Sequence, residues 1–281
     1  MRVRHGSNIM PSAAAAAAAA SKTLLVGIAA ASGLRVATAF GFGSALSPAT
    51  AVMASTAGGE PSRASGVSRR QGTTMTEKPS RVFVAGATGR LGQRVVRELL
   101  LDGVGVTAAV RPSSLDKANS LFSDKDFMSE DLLGKLDVVG VEPDSEKEWR
   151  RAMQSSQAVV CALGASESEP FNVKGPSQVD GKLSQRVVLA AKETASVRHF
   201  VLVTALGTGK FGWPASALNL FWGILSWKRK TEKALIDSGL PYTILRPGGM
   251  EKPQDDFEET HNVRVASKDT LFGGVVSRLQ V

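Results

Sequence analysis

The stretch Arg81–Gly92, which reads RVFVAGATGRLG, decides the fold of this 281-residue chain. Its first part, Arg81–Ala85, is an apolar, β-branched and aromatic run of the kind that forms a strand buried on both faces. Three glycines follow within seven residues, at Gly86, Gly89 and Gly92. A buried strand that runs directly into a glycine-rich turn predicts the start of a nucleotide-binding βαβ unit.

An amphipathic helix is predicted directly after this turn, with Gly103 as a natural stop near its end. In such a unit the first glycine permits the tight turn and the second lets the backbone approach a phosphate. The third lets the helix pack on the strand, and the helix N-terminus attracts the anion. We therefore predict a pyrophosphate cradle; the alternative is an ordinary glycine-rich loop. The apolar face of the predicted helix consists of Leu91, Val95, Val96, Leu99 and Leu100.

The second predicted strand, Gly105–Val110, ends at Arg111. A site that prefers NAD places an Asp or Glu at this point, where it accepts a hydrogen bond from the ribose 2′-hydroxyl. An arginine instead pairs with a 2′-phosphate. The sequence therefore predicts NADP(H), with Arg90 in the turn as a second candidate for that phosphate. The alternative is that Arg111 is a solvated residue at a strand end.

The rest of the chain alternates between strand and helix patterns. Strands that are apolar on both faces and alternate with helices pack as a doubly wound parallel sheet. The predicted fold class is therefore α/β, a Rossmann-type NAD(P)-binding domain over residues 80–281. Further strands are predicted at 136–141, 158–163, 199–204 and 242–245, and further helices around 146–153, 179–192 and 228–238.

Residues 1–79 differ in composition and predict a targeting leader. Residues 1–80 hold eight of the 34 basic and two of the 26 acidic residues, so the net charge of +8 divides into +6 there and +2 elsewhere. A basic start, a short apolar run and Ala37-Thr38-Ala39 follow the order of a secretory signal, and the stretch from Phe40 has transit-peptide composition. Because Phe40 comes directly after that site, residues 1–79 resemble the bipartite leaders of algae with secondary plastids. The resemblance implies a leader that is disordered and is cleaved from the mature protein. The alternative is a disordered low-complexity tail.

Composition excludes several classes of function. A near-neutral body behind a basic leader is not the electrostatic footprint of a nucleic-acid-binding protein. Cys161 is the only cysteine, which excludes a disulfide scaffold and a thiolate metal cluster. The histidines, His5, His199 and His261, give no metal-ligand pattern. Neither a nucleic-acid partner nor a metal is therefore predicted.

The motifs resemble those of a known family. The turn Gly86–Gly92, the pair Asp180-Gly181 and the stretch Ser238–Gly249 are similar to those of an atypical short-chain dehydrogenase/reductase. Segments of the last third, Phe200–Gly207 and Trp227–Lys230 among them, resemble the dehydrogenase-like redox-sensor subunit of the chloroplast inner-envelope protein translocon. That is the subunit that docks ferredoxin–NADP reductase.

The resemblance implies an NADP(H)-binding, redox-responsive protein of the plastid stroma that associates with a plastid membrane surface, the translocon or the reductase. It places the 2′-phosphate on Arg111 and the adenine on Val141 or Glu142, of which Glu142 is the better chemical candidate. The other implied cofactor-binding residues are Gly86, Thr88, Gly89, Arg90, Leu91 and Gly92 for the pyrophosphate, Ala162, Leu163 and Gly164 beside the cofactor, and Pro247 and Gly248 near the nicotinamide.

Two departures from the family pattern concern the end of the chain. Relatives continue beyond the position of Val281, so we expect either an incomplete sheet, in a domain that is shortened at its C-terminus, or a fragment of a longer chain. The Pro/Ser-rich repeats that bind ferredoxin–NADP reductase in the land-plant relatives are absent from the sequence.

A third departure concerns catalysis. The family uses a Tyr-x-x-x-Lys pair in which the tyrosine exchanges a proton with a carbonyl oxygen. Lys228 falls at the lysine position, but Ile224 falls at the tyrosine, and Ala205 at the substrate-binding serine, with Thr204 the nearest hydroxyl. Isoleucine cannot transfer a proton, so we expect little classical dehydrogenase turnover, with Lys228 and Thr204 as candidate catalytic residues. Lys228 either binds the nicotinamide ribose or is a surface lysine.

Other interpretations stay open at this point. Hydride transfer to a flavin- or quinone-like acceptor needs no tyrosine, so an NADPH-dependent reductase is the alternative function. A structural assembly factor that has lost the nucleotide is a third. The apolar stretch 211–227, followed by basic residues, is too short and too interrupted to cross a bilayer. It is typical of an interfacial segment, or of a helix buried against a partner or over the substrate cleft.

Overall fold

A computed structural model describes residues 50–56, 78–124, 127–165, 172–208, 223–250, 262–267, 270–271 and 273–281. These residues form an eight-stranded sheet in the order β4-β3-β2-β5-β6-β7-β1-β8. The six strands from β4 to β7 in this order are parallel, whereas β1 pairs antiparallel with β7 and parallel with β8. The strands are β1 Thr50–Thr56, β2 Arg81–Ala85, β3 Gly105–Val110, β4 Leu136–Gly140, β5 Ala158–Cys161, β6 His199–Val203, β7 Tyr242–Pro247 and β8 Val263–Ala266.

Helices connect the parallel strands, and the predicted doubly wound α/β fold is confirmed. A 3₁₀ turn, Pro112–Ser114, follows β3, and a π-helical segment, Ser177–Leu183, leads into α5. Among the described residues no helix is both long and apolar enough to cross a membrane. The helices are α1 Gly92–Leu101, α2 Leu115–Phe122, α3 Glu130–Leu133, α4 Glu146–Met153, α5 Ser184–Lys192 and α6 Ile224–Ser238.

Strand β2 is central because its alternate residues supply two different apolar layers. Phe83 and Ala85 belong to the layer that includes Trp149 of α4, and the Phe83 and Trp149 rings meet edge to face with centroids 6.0 Å apart. Val82 and Val84 belong to the layer that includes α1 on the other face. Burial on both faces explains why this strand is a continuous apolar run.

The order of strands creates a crevice at one point of the sheet. β2 lies between β3 and β5, so the chain winds away from it in both directions. Ligands of doubly wound sheets bind at such a switch point, outside the carboxyl ends of the strands. Hereafter the crevice means the space between the turn after β2, Gly86–Gly92, and the segment after β5, residues 162–165.

The structure also contains elements that the sequence analysis did not predict. Helices α2 and α3 lie between β3 and β4, where no helix was expected, and α2 is held by Ala118 and Phe122, which are buried one turn apart. The helix expected around 179–192 is divided between the π-helical segment and α5. Strand β1 falls within residues 1–79, the segment assigned to the leader; the extent of that leader stays a prediction.

The single cysteine gives a direct test of core packing. Cys161, the last residue of β5, is buried, and this burial raises the pKa of its thiol to about 11. We expect Ellman's reagent at about pH 8 to leave Cys161 unmodified in the native protein, because attack requires an accessible thiolate. One thiol per chain should react rapidly after unfolding in urea, which serves as the control. Rapid reaction of the native protein would contradict the burial of this strand end.

Candidate nucleotide site

The glycine turn after β2 is built from close backbone contacts. Gly86 has φ +83°, a left-handed conformation that side chains disfavour. A methyl group on Gly86 would stand 2.9 Å from the carbonyl oxygen of Ala162, so this glycine lets the turn touch the segment after β5. The amide of Gly89 donates to the Gly86 carbonyl at 3.0 Å and closes the turn.

Gly92 lets helix α1 begin directly on this turn. A methyl group on Gly92 would overlap the Gly86 carbonyl group, 2.8 Å from its carbon atom. The start of α1 has no side-chain cap and no acidic residue in its first turn. Among the described residues, no carbonyl group accepts a hydrogen bond from the amides of Leu91 and Gly92. Open amides at a helix N-terminus fit a phosphate group.

The other wall of the crevice contains the predicted residues after β5. The amide of Ala162 donates to the Ala85 carbonyl at 3.0 Å, which extends the sheet by one residue. Leu163 packs on the core, and Gly164 faces two charged side chains. The structure therefore brings Ala162, Leu163 and Gly164 next to the glycine turn.

Arg111 stands one strand away at the same edge of the sheet. It follows β3 in an extended conformation, φ −66° and ψ 144°, and its carbonyl accepts from the amide of Ser114 at 2.8 Å. Its side chain is exposed and has no ion pair with a described residue. The turn after Arg111 lies against Gly140 at the end of β4, where a methyl group would stand 3.1 Å from Cδ1 of Leu115 and 3.5 Å from the Cα of Pro112.

The two candidates for the adenine contact differ in exposure. Val141 is buried, and its amide donates to the Val110 carbonyl at 2.8 Å. Glu142 is exposed, and its amide donates to Oε2 of Glu148 at 2.8 Å. Of the two, only Glu142 offers a side chain to solvent beyond the end of β4; its contact with adenine stays a prediction.

A buried ion pair borders the crevice behind Gly164. Lys228 Nζ of α6 lies 2.6 Å from Oδ1 of Asp180 in the π-helical segment, and their side chains are 15% and 1% exposed. The other carboxylate oxygen, Oδ2, accepts from the amide of Ala165 at 3.1 Å. This burial disfavours the interpretation of Lys228 as an ordinary surface lysine. In the sequence Asp180 stands out only as part of a family motif, because its partner Lys228 is distant along the chain.

A second buried ion pair lies one turn further along α6. Glu232 accepts from Nε of Arg246 at 2.9 Å and from Nη2 at 2.6 Å. The hydroxyl groups of Thr204 and Thr208 donate to Oε1 of the same carboxylate at 2.7 and 2.8 Å. The proton of the Thr204 hydroxyl is therefore engaged in this network, and a catalytic role for Thr204 stays a prediction. The sequence does not predict this pair, although the i, i+4 spacing of Lys228 and Glu232 indicates that both lie on one helical face.

The remaining candidates fall at the end of β7 or away from the crevice. The Pro247 carbonyl accepts from the amide of Leu206 at 2.8 Å, and Gly248 follows it at the carboxyl edge. His199 begins β6 at the opposite edge and lies 3.0 Å from the Thr243 hydroxyl, which fits a structural histidine. Burial lowers the pKa of His199. His261 and residues 211–222 lie outside the described residues.

No group of three or more His, Cys, Asp or Glu side chains within the described ranges is arranged to hold a metal ion. The arrangement at the crevice instead combines backbone amides, a nearby arginine and a lysine. Such a set fits an extended phosphate-bearing anion, and a dinucleotide is a ligand of that kind.

Comparison with known proteins agrees with this geometry. The profile of the NAD(P)H-binding family matches residues 86–281. The chain therefore belongs to the NAD(P)H-binding family, and its predicted resemblance to that class is confirmed.

Within this class it is similar to Protein TIC 62, chloroplastic, of Pisum sativum, with 49% identity over 207 residues, which cover 71% of this chain and 38% of that protein. The corresponding protein of Oryza sativa subsp. japonica is 46% identical over 73% of this chain and 42% of its own length. The chain thus spans well under half the length of these relatives. An uncharacterized chloroplastic protein of Arabidopsis thaliana is 36% identical over 72% of this chain and 69% of its own length.

Solved structures support the fold. A putative NAD-dependent epimerase/dehydratase from Bacillus halodurans has a TM-score of 0.51 and 23% identity, covering 62% of this chain and 73% of that one. An anaerobillin reductase from Escherichia coli O157:H7 has a TM-score of 0.50 and 20% identity, covering 71% and 85%. At these identities the likeness establishes the Rossmann-type fold alone.

The buried pair of Glu232 and Arg246 should dominate the stability of α6. Both side chains are 4% exposed, so Glu232→Gln removes a buried negative charge that lies 2.6 Å from the Arg246 guanidinium. We expect the free energy of unfolding in urea to fall by about 3–5 kcal/mol. Asp237→Asn on the same helix is the matched control. It removes an exposed pair with Lys233, whose side chains are 59% and 76% exposed, and should cost less than about 1 kcal/mol. Equal losses for both variants would contradict the assignment.

Proposed function

We propose that this chain is an NADP(H)-binding plastid protein, redox-responsive and associated with a membrane or a partner, with little classical dehydrogenase turnover. The observation that carries this proposal is the intact cradle. Gly86, Gly89 and Gly92 shape a turn with open amides, and Arg111 stands exposed one strand away. A structural protein that had lost the nucleotide would not need these close glycine contacts.

Preference for the phosphorylated dinucleotide rests on Arg111. An exposed guanidinium with no described ion pair can form a charge-assisted, bidentate contact with a phosphate. A carboxylate at the same place would favour the ribose hydroxyl instead. Arg90, in the turn itself, is the second cation proposed for this phosphate.

The preference can be tested with Arg111→Gln and calorimetric titration of the full chain. We expect the affinity for NADPH to fall roughly tenfold to a hundredfold, the scale of a lost charged hydrogen bond. The affinity for NADH should hardly change. Arg198→Gln, at an exposed position near the opposite edge of the sheet, is the matched control and should leave both affinities as they are. Equal affinity of the unmodified chain for NADPH and NADH would remove the role of Arg111.

Low turnover is proposed because the proton donors of the family are missing. Ile224 begins α6 where the family has a tyrosine, and the neighbouring Thr204 hydroxyl already donates to Glu232. When bound, the cofactor would supply or accept a hydride. The side chains described at the crevice would orient it, chiefly through Lys228, but would not deliver a proton to a carbonyl oxygen as a tyrosine does.

One observation favours the second candidate function, an NADPH-dependent reductase of a flavin- or quinone-like acceptor. Lys228 is a cation beside Gly164, and a cation stabilises an acceptor that becomes more negative when reduced. NADPH oxidation with dichlorophenolindophenol or free flavin distinguishes the two. Tight NADPH binding without such oxidation supports the first function, and sustained turnover supports the second.

Plastid location and association with a membrane or the translocon are proposed from the leader and from the chloroplastic relatives. The start of α6 is the described part of the apolar and basic stretch. There the Trp227 ring packs on Gly181, and Lys230 Nζ lies 3.9 Å from the ring centroid. Trp227 thus belongs to a contact within the protein. The exposed cations around it are therefore the groups that we propose to contact the membrane or the partner. Docking of ferredoxin–NADP reductase is proposed by resemblance only.

A charge reversal tests the membrane arm of this proposal. Lys230→Glu should reduce binding to vesicles that contain anionic phosphatidylglycerol by roughly tenfold, since each lysine near such a surface contributes about 1 kcal/mol. Lys192→Glu, at an exposed position at the end of α5, is the matched control and should bind as the unmodified chain does. If Lys230→Glu floats with these vesicles as the unmodified chain does, the membrane arm is contradicted and the proposed association is with a protein partner.

A further inference from the structure

The ion pair of Asp180 and Lys228 occupies a special place in the fold. A methyl group on Gly164 would stand 3.8 Å from Asp180 Oδ1 and 4.0 Å from Lys228 Nζ. Both charges therefore lie directly behind the backbone that forms one wall of the crevice. The glycine turn follows β2 and Arg111 follows β3, so the adenosine half of a dinucleotide would lie over these two strands. The nicotinamide half would then lie over β5, on the side of the ion pair.

The two members of the pair do not face the crevice equally. Asp180 is almost fully buried, and its two oxygens are committed to Lys228 and to the amide of Ala165. Its backbone is fixed as well, because the Thr231 hydroxyl donates to the Asp180 carbonyl at 2.6 Å. Lys228 is the more exposed member, and its ammonium group has three donors with which a ligand could pair. The cation is the part that a ligand can reach.

Attachment of α6 does not by itself explain the pair. Glu232 and Arg246 already anchor the same helix to β7 through two hydrogen bonds. Replacing a buried ion pair by apolar residues is often neutral or stabilising, so a gain in stability is a weak explanation for this pair. The oxidised nicotinamide ring carries one more positive charge than the reduced ring. A nearby cation repels that charge, and the counter-ion of the cation attracts it.

We propose that the Asp180–Lys228 pair sets the relative affinity of the site for oxidised and reduced NADP. Lys228 opposes the positive ring of NADP⁺, and Asp180, as its counter-ion, offsets that repulsion. The balance of the two charges gives the site its response to the redox state of the pool. This inference rests on the proposed binding of NADP(H) and names the residues that would make it redox-responsive.

Opposite shifts from two single variants test the inference. Asp180→Asn leaves the cation uncompensated, and the ratio of Kd for NADP⁺ to Kd for NADPH should rise by about tenfold or more. Lys228→Met leaves the carboxylate uncompensated, and the same ratio should fall. Both constants are measured by calorimetry on the full chain. If one variant does not fold, the direction of the shift in the other decides.

Glu193→Gln is the matched control. It also converts a paired acid to an amide, releasing Arg150 at the far end of α5, where the side chains are 44% and 48% exposed, and it should leave the ratio unchanged. A shift of both variants in the same direction, or a ratio within twofold of the unmodified chain, would overturn the inference. Failure of the unmodified chain to bind either form would instead overturn the proposed function, so the two failures are distinguishable.

Discussion

Three segments of backbone meet at the crevice without side chains between them. The start of α1 rests on the Gly86 carbonyl, and Gly86 rests on the Ala162 carbonyl. A side chain at Gly92 would push α1 away from the turn after β2. A side chain at Gly86 would push that turn away from the segment after β5. Hydrogen bonds from backbone amides weaken steeply once a donor moves by about 1 Å. The contact that brings these three segments together therefore also fixes the amides that we propose to bind the pyrophosphate.

The sequence predicts best where one physical rule acts alone. The bounds of β2 and β3 follow from their apolar runs, because both strands are buried on both faces and no other rule competes. Helix α4 is equally plain: Ser145 caps its start and the buried residues Trp149 and Met153 are one turn apart. Helix α2 was not predicted: it has only eight residues, and while Ala118 and Phe122 are buried, Leu115 and Leu121 are only partly buried against the core.

The site divides along the same line. The glycine turn and Arg111 can each be recognised from the residues next to them in sequence, and the structure places both at one edge of the sheet. The partners of the buried charges depend on the order of strands, which the sequence leaves open. Nothing local marks Asp180 as the counter-ion of Lys228, or Arg246 as that of Glu232. The direction of the Thr204 hydroxyl likewise depends on where α6 lies.

Helix α6 carries two anchors on one face, Lys228 to the π-helical segment and Glu232 to β7. Sliding the helix by one residue would rotate both side chains by about 100° and separate both pairs together. The two ion pairs therefore share one requirement, the register of α6, and a shift of one residue would cost both of them together.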